Sequence, residues 1–275
     1  MKQQLIATTA AVICLFVLYF GGRTHPNQAT SKEKAVAISS EPVSSEVLLN
    51  DAKIAIKAAD KASIEVLEKE LASTQGNEKR EVLKKISSEW NKLGNFAAGG
   101  VYAQQIAELT PSDTSWAIAG TTYAIGFKKM KDETVREFCT KRAIKAFEAA
   151  ISLNPSVSDS KINLALCYVE GAGAQPMKGI KMLTALADKE PNNVGLFLTL
   201  GQMAITTGQH EKAIGRFEHI IQIDPKNEEA YCLIAQEYET INKMAEAKNA
   251  YAKCAELTKN QNLKKQATDI VKNLK

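Results

Sequence analysis

Beyond residue 45 the apolar side chains recur at helical spacing in long runs, set apart by short stretches rich in Gly, Pro, Asn and Asp. Residues spaced three and four apart fall on one face of a helix, so each run predicts an amphipathic α-helix with one buried stripe. "FLTLGQMAITTGQHEKAIGRFEHIIQIDP", Phe197 to Pro225, holds two such runs around Gly208 and stops at a proline. This is the pattern of two helices joined by a tight turn. No sustained alternation of apolar and polar residues predicts a sheet, and the seven prolines interrupt none of the periodic runs. The predicted class is all-α.

The pattern also repeats. Pro111, Pro155, Pro191 and Pro225 each follow an apolar helix end, at intervals of 44, 36 and 34 residues. Between them the same sequence of sizes returns: Trp116, Gly120, Tyr123, Ala143, Phe147 and Ala150; then Leu164, Ala165, Tyr168 and Leu183. It continues as Phe197, Leu200, Gly201, Gly208, Ala213 and Phe217, and again as Tyr231, Ile234, Ala235, Tyr238, Ala247 and Tyr251. A fainter unit holds Leu83, Ile86, Trp90, Gly94, Phe96 and Ala103. Residues 80–259 thus resemble tetratricopeptide repeats, units of about 34 residues in which two helices pair and stack on the next pair. The resemblance implies an α-solenoid of about five hairpins whose small residues sit at close helix approaches and whose large ones fill the gaps. Ala204 stands where this family has an aromatic, Ile220 where it has Ala, and "GFKKMKDETVREFCTKR" is an insertion expected to lengthen the second hairpin.

The ends differ from the repeats. "LIATTAAVICLFVLYFGG", Leu5 to Gly22, carries no charge, and its length as a helix is about 27 Å, close to the hydrocarbon thickness of a bilayer. Tyr19 and Phe20 stand where a signal-peptide cut needs small residues, so residues 1–22 read as a retained transmembrane signal-anchor with Cys14 facing lipid. Residues 23–45, rich in Ser, Pro and Lys, read as a flexible linker. Residues 46–79 hold helix formers, as one helix or two, and are expected to cap the stack. At the other end Leu263, Ala267, Ile270, Val271 and Leu274 form one stripe, which makes residues 260–275 a C-terminal capping helix.

Composition narrows the chemistry. A net charge of +4 on 275 residues, with no aromatic interleaving of its lysines, gives no nucleic-acid footprint. His210 and His219 lie on different faces of one helix, and they read as solvated side chains rather than metal ligands. "EGAGAQPMKG" follows a helix rather than a strand and reads as a widened turn with Pro176 opening the next helix. No catalytic residue, cofactor site or metal site is assigned, and the chain is expected not to be an enzyme. Cys139, Cys167, Cys232 and Cys254 lie within amphipathic runs and read as buried free thiols; were a bridge to form, Cys139 with Cys167 is the expected pair.

The resemblance implies a protein-binding scaffold, and the signal-anchor with its short head is expected to hold the repeats on the extracytoplasmic, periplasmic side of a bacterial inner membrane. In this family the first helices of successive units build a concave face. Here that face takes Lys84, Ser88 and Asn91, then Ala117, Thr121 and Ala124, with Cys232, Gln236 and Glu239 at the far end. Its expected partner-binding groove is Ile162, Leu166, Val169, Leu198, Gln202, Ile205 and Gln236, receiving an apolar or amphipathic peptide or helix. The N-terminal helix, with Leu48, Ile54, Ile56 and Leu67, is the alternative occupant. Rival readings are a self-associating envelope component and an accessory subunit of an enzyme complex, as in cytochrome assembly.

Overall fold

The computed structural model describes residues 43–274, and the expected anchor and most of the linker lie outside them. Among the described residues there are 13 helices and no strands. Two helices, α1 (Ser45–Ala55) and α2 (Ala58–Ser73), precede five hairpins. These are α3 (Gly76–Lys92) with α4 (Phe96–Leu109), α5 (Asp113–Lys129) with α6 (Glu133–Leu153), and α7 (Ser158–Glu170) with α8 (Pro176–Lys189). Then come α9 (Val194–Thr206) with α10 (His210–Ile223), α11 (Glu228–Thr240) with α12 (Met244–Leu257), and a last helix, α13 (Gln261–Asn273). From α2 onward consecutive helices pack on one another along the stack, and no helix among the described residues is long and apolar enough to cross a membrane.

Local chemistry sets the boundaries. The side chains of Ser112, Asn193 and Asn227 accept the third backbone N–H of α5, α9 and α11, satisfying donors that a helix start leaves open. Three hairpins turn through a left-handed residue at one equivalent place, Gly94, Gly208 and Asn242. Each turn makes the same pair of bonds: Asn95 N–H to the Trp90 carbonyl and Gly94 N–H to that of Asn91 in the first, with Lys243 to Tyr238 and Asn242 to Glu239 in the last. Glycine suits that conformation because it has no Cβ to clash.

Packing explains the alternation of small and large residues. A Cβ on Gly201 would stand 2.4 Å from the Phe217 ring, and one on Gly120 would stand 2.8 Å from that of Phe147. Both rings are fully buried. Closest approach of the two helices in each hairpin therefore depends on an absent methyl. The insertion lengthens both helices of the second hairpin, α5 to 17 residues and α6 to 21. Gly126 lies against the Cys139 sulfur, and Tyr123 meets Phe138 edge to face at 5.9 Å.

The N-terminal pair breaks at Ile56–Lys57, and α1 docks on α4 rather than on the middle of the stack. Glu68 of α2 ties three helices together, taking the Lys53 ammonium at 3.1 Å and the Tyr102 hydroxyl at 2.5 Å. Burial, then the carboxylate, pushes the Tyr102 phenol well above its ordinary range. Leu48 is buried in the first core with Ile56 and Leu67 packed on it, whereas Ile54 is 77% exposed. At the far end α13 buries Ala267 and lays Leu263, Ile270, Val271 and Leu274 on the last hairpin's core.

Two expectations about single residues are corrected. Cys232 and Cys254 form a disulfide between α11 and α12, while Cys139 and Cys167 are free and buried. The two helices are antiparallel partners in one hairpin, so side chains far apart in sequence meet across it; the free pair serves as apolar filling, and burial pushes both thiols up to about 12. His210 and His219 are not merely solvated. His210 Nδ1 lies 2.7 Å from Glu237, a carboxylate buried in α11, and His219 Nε2 lies 2.7 Å from the Pro191 carbonyl with its ring on Phe197.

Candidate interaction groove

The first helices of successive hairpins, α3, α5 and α7, leave two clefts between them. One, of about 680 Å³, has Arg80, Lys84, Ser88, Asn91 and Lys92 of α3 on one wall and Ser112, Thr114, Ser115 and Ile118 of α5 on the other. Its floor is Ala103 and Ile106 of α4. Asn91 turns its Oδ1 inward against Gly99, where it is buried without a partner. The second cleft, of about 440 Å³, lies one hairpin further on, between Asp113, Ala117 and Thr121 of α5 and Asp159, Ser160 and Asn163 of α7. Thr114 and Ile118 line both, so the clefts adjoin on the two sides of α5. Ile118 is 58% exposed, an apolar side chain on an otherwise polar ridge.

Electrostatically the walls are prepared rather than neutral. Arg80 and Lys84 share Glu81 at 3.4 and 2.9 Å, and Lys92 meets Glu89 at 2.7 Å, all in exposed pairs. Asn154 donates to Asp113 at 2.8 Å, and that bond with those from Thr114 holds its carboxyl below the usual range, so it stays ionised. Hydroxyls, amides and charges surround an apolar centre. Such a surface can bind, and among the described residues no three metal-ligating side chains converge.

Residues 228–261, which form α11, α12 and the turn between them, match the tetratricopeptide repeat model TPR_8. This hairpin is a tetratricopeptide repeat. The other four share its helix pairing and the described stack is a TPR-like solenoid. Among solved structures, MamA matches at 19% identity over 67% of this chain and 97% of its own, with a TM-score of 0.44. YrrB, described as a TPR protein with an unusual peptide-binding site, matches at 17% over 68% of this chain and 91% of its own, with a TM-score of 0.42. TTC0263, a thermophilic TPR protein in Thermus thermophilus, matches at 15% over 70% and 98%, with a TM-score of 0.47. No curated protein shows a significant sequence match.

Along the repeats, Lys84, Ala117, Ile162, Leu198 and Cys232 occupy one slot of successive first helices. Its character changes down the stack. Lys84 is exposed in its cleft, but Ile162 is only 6% exposed, packed with Leu183, Leu186 and Leu196. Leu166 is half-buried against that cluster, and Val169 stands over Gly179 inside its own hairpin. Leu198 and Ile205 are half-buried on the C-terminal core, while Gln202 and Gln236 are exposed. None of these seven lines either cleft, although Ile162, Leu166 and Val169 share α7 with Asp159, Ser160 and Asn163. Sequence reasoning passed over Arg80, Ile118, Asp159 and Asn163. Ile118 and Asn163 lie one position beyond Ala117 and Ile162, and an isoleucine among threonines was the available signal.

Proposed function

We propose that this chain is a membrane-anchored interaction scaffold whose α3–α5–α7 groove receives an extended segment of a partner protein. The observation that carries this reading is the pair of adjoining clefts that share the exposed Ile118, a concave, part-apolar surface with convergent polar groups. Catalysis has no part in it. The uncharged run from Leu5 to Gly22 supports the anchor, and the Cys232–Cys254 disulfide favours repeats on the oxidising, extracytoplasmic side. A photo-crosslinking side chain placed at Ile118 in the full-length membrane protein should give a discrete adduct, and the same group at Lys212 on the opposite helix layer should not. Equal labelling from both positions, or none from Ile118, rejects the groove. Extraction by alkaline carbonate without detergent rejects the anchor.

A further inference from the structure

The two clefts carry opposite charge. The α3–α5 cleft is lined by Arg80, Lys84 and Lys92 and by no acid; the α5–α7 cleft is lined by Asp113 and Asp159 and by no base. We propose that the groove selects a charge-ordered segment, with acidic side chains over α3, an aliphatic one on Ile118 and basic ones over α7. The proposal rests on the groove being the binding face. It goes further in fixing the ligand's chemistry and its placement along the stack.

Glu81 and Glu89 do not cancel the basic wall. Their pairs with Arg80, Lys84 and Lys92 are exposed, and solvent-screened pairs of this kind contribute little, so a ligand carboxylate that also covers Ile106 and Ile118 can displace them. On the other side Asp113 is fixed by Asn154, outside the cleft, and so remains available as an anion. α4 floors the cleft between α3 and α5, so two packed-helix spacings of about 8–10 Å set only a lower bound of roughly 20 Å on the path from α3 to α7, which at least about six extended residues are needed to span. Opposed patches of this kind set orientation and exclude wrong partners more than they raise affinity.

Three fluorescein-labelled peptides test this on the full chain in detergent: DDLLKK, its charge-scrambled isomer DKLLDK and the neutral SSLLSS. The block peptide is expected to bind at least tenfold tighter than either, with Lys84→Glu and Asp159→Lys each lowering that affinity at least fivefold. Benzophenone on its acidic end should label α3, and on its basic end α7. Asp159→Asn serves as the milder variant should Asp159→Lys lose its cooperative melt. Equal binding of all three peptides, abolished by Ile118→Asp, overturns the charge order and leaves the groove standing. Binding insensitive to Ile118→Asp, reversed end labelling, or no binding of the block peptide also overturns it, and failure of crosslinking at Ile118 removes the groove reading itself.

Discussion

Junctions between successive hairpins are of two kinds. At α4–α5, α6–α7 and α10–α11 a tyrosine of the first helix reaches back to the helix before it: Tyr123 to Gln104 at 3.1 Å, Tyr168 to Glu148 at 3.3 Å, Tyr238 to Glu218 at 2.8 Å. At α8–α9 the tyrosine's place is taken by Ala204, and Thr184, in the acceptor's place, bonds back to its own helix at Ile180. These two helices come close at few points, and the apolar cores part here, with only the small Ile162–Leu183–Leu196 cluster between them. In a stack whose stability is a sum of nearest-neighbour interfaces, a thin joint divides the whole into blocks. The lesson is that α1–α8 and α9–α13 are expected to answer separately to damage.

The largest effect breaks or upholds that division. Phe217→Ala empties a fully buried site and should cost about 3–5 kcal/mol. Amide exchange should accelerate through α9–α13 while α3–α6 keep their protection; equal loss in both would show one cooperative unit. Gly201→Ala comes next. A methyl there gains about 1 kcal/mol of helix propensity but meets the buried Phe217 ring, so a net loss of about 1–3 kcal/mol is expected in denaturant titration, and a net gain would contradict the close approach.

Smaller again are Tyr238→Phe and Tyr168→Phe, which delete one hydroxyl from a junction. Each should lose about 0.5–1.5 kcal/mol, and unchanged stability in both would remove the tyrosine bond from the account of why junctions differ. The subtlest test is alkaline. Cys139 and Cys167, both in the first block, are raised from an ordinary 9.0 to about 12 by burial, and Tyr238 in the second from 10.0 to about 12 by burial and then Glu218. The unfolded chain ionises first in each case, so the contribution is complete below the unfolded value and is lost as pH rises towards 12. The first block should begin to weaken near pH 9 and the Tyr238 junction only near 10. Exchange measured from about pH 8 to 11 reads the order, and Cys139→Ala with Cys167→Ala should delay the onset.

The hairpins were legible in the sequence because their signals are local: prolines such as Pro191 and Pro225 after helix ends, turn glycines such as Gly208, and small residues facing rings within one unit. The clefts were less so. Ala117 and Ile162 share a slot, yet whether that slot opens depends on the next hairpin, and Leu183 and Leu196 close it over Ile162. The disulfide was hidden for a related reason. Helical patterns say that Cys232 and Cys254 lie on inward faces, but which inward residues meet is decided by how each helix is rotated against its partner. His210 likewise finds its carboxylate, Glu237, on a neighbouring helix.

Chains built from look-alike units run the risk that a helix docks beside the wrong partner during folding, because most pairings are tolerable and only one is native. The long second hairpin removes much of that freedom here. Phe127 and Phe138, both fully buried, sit near its tip, and Arg136 reaches from α6 to the Phe127 carbonyl at 3.0 Å. A helix as short as α8 or α10, 14 residues each, set against α5 would leave Phe127 bare to water. The hairpin therefore works like a key cut to a single lock, giving an otherwise repetitive chain a fixed point from which its neighbours are counted in the right order.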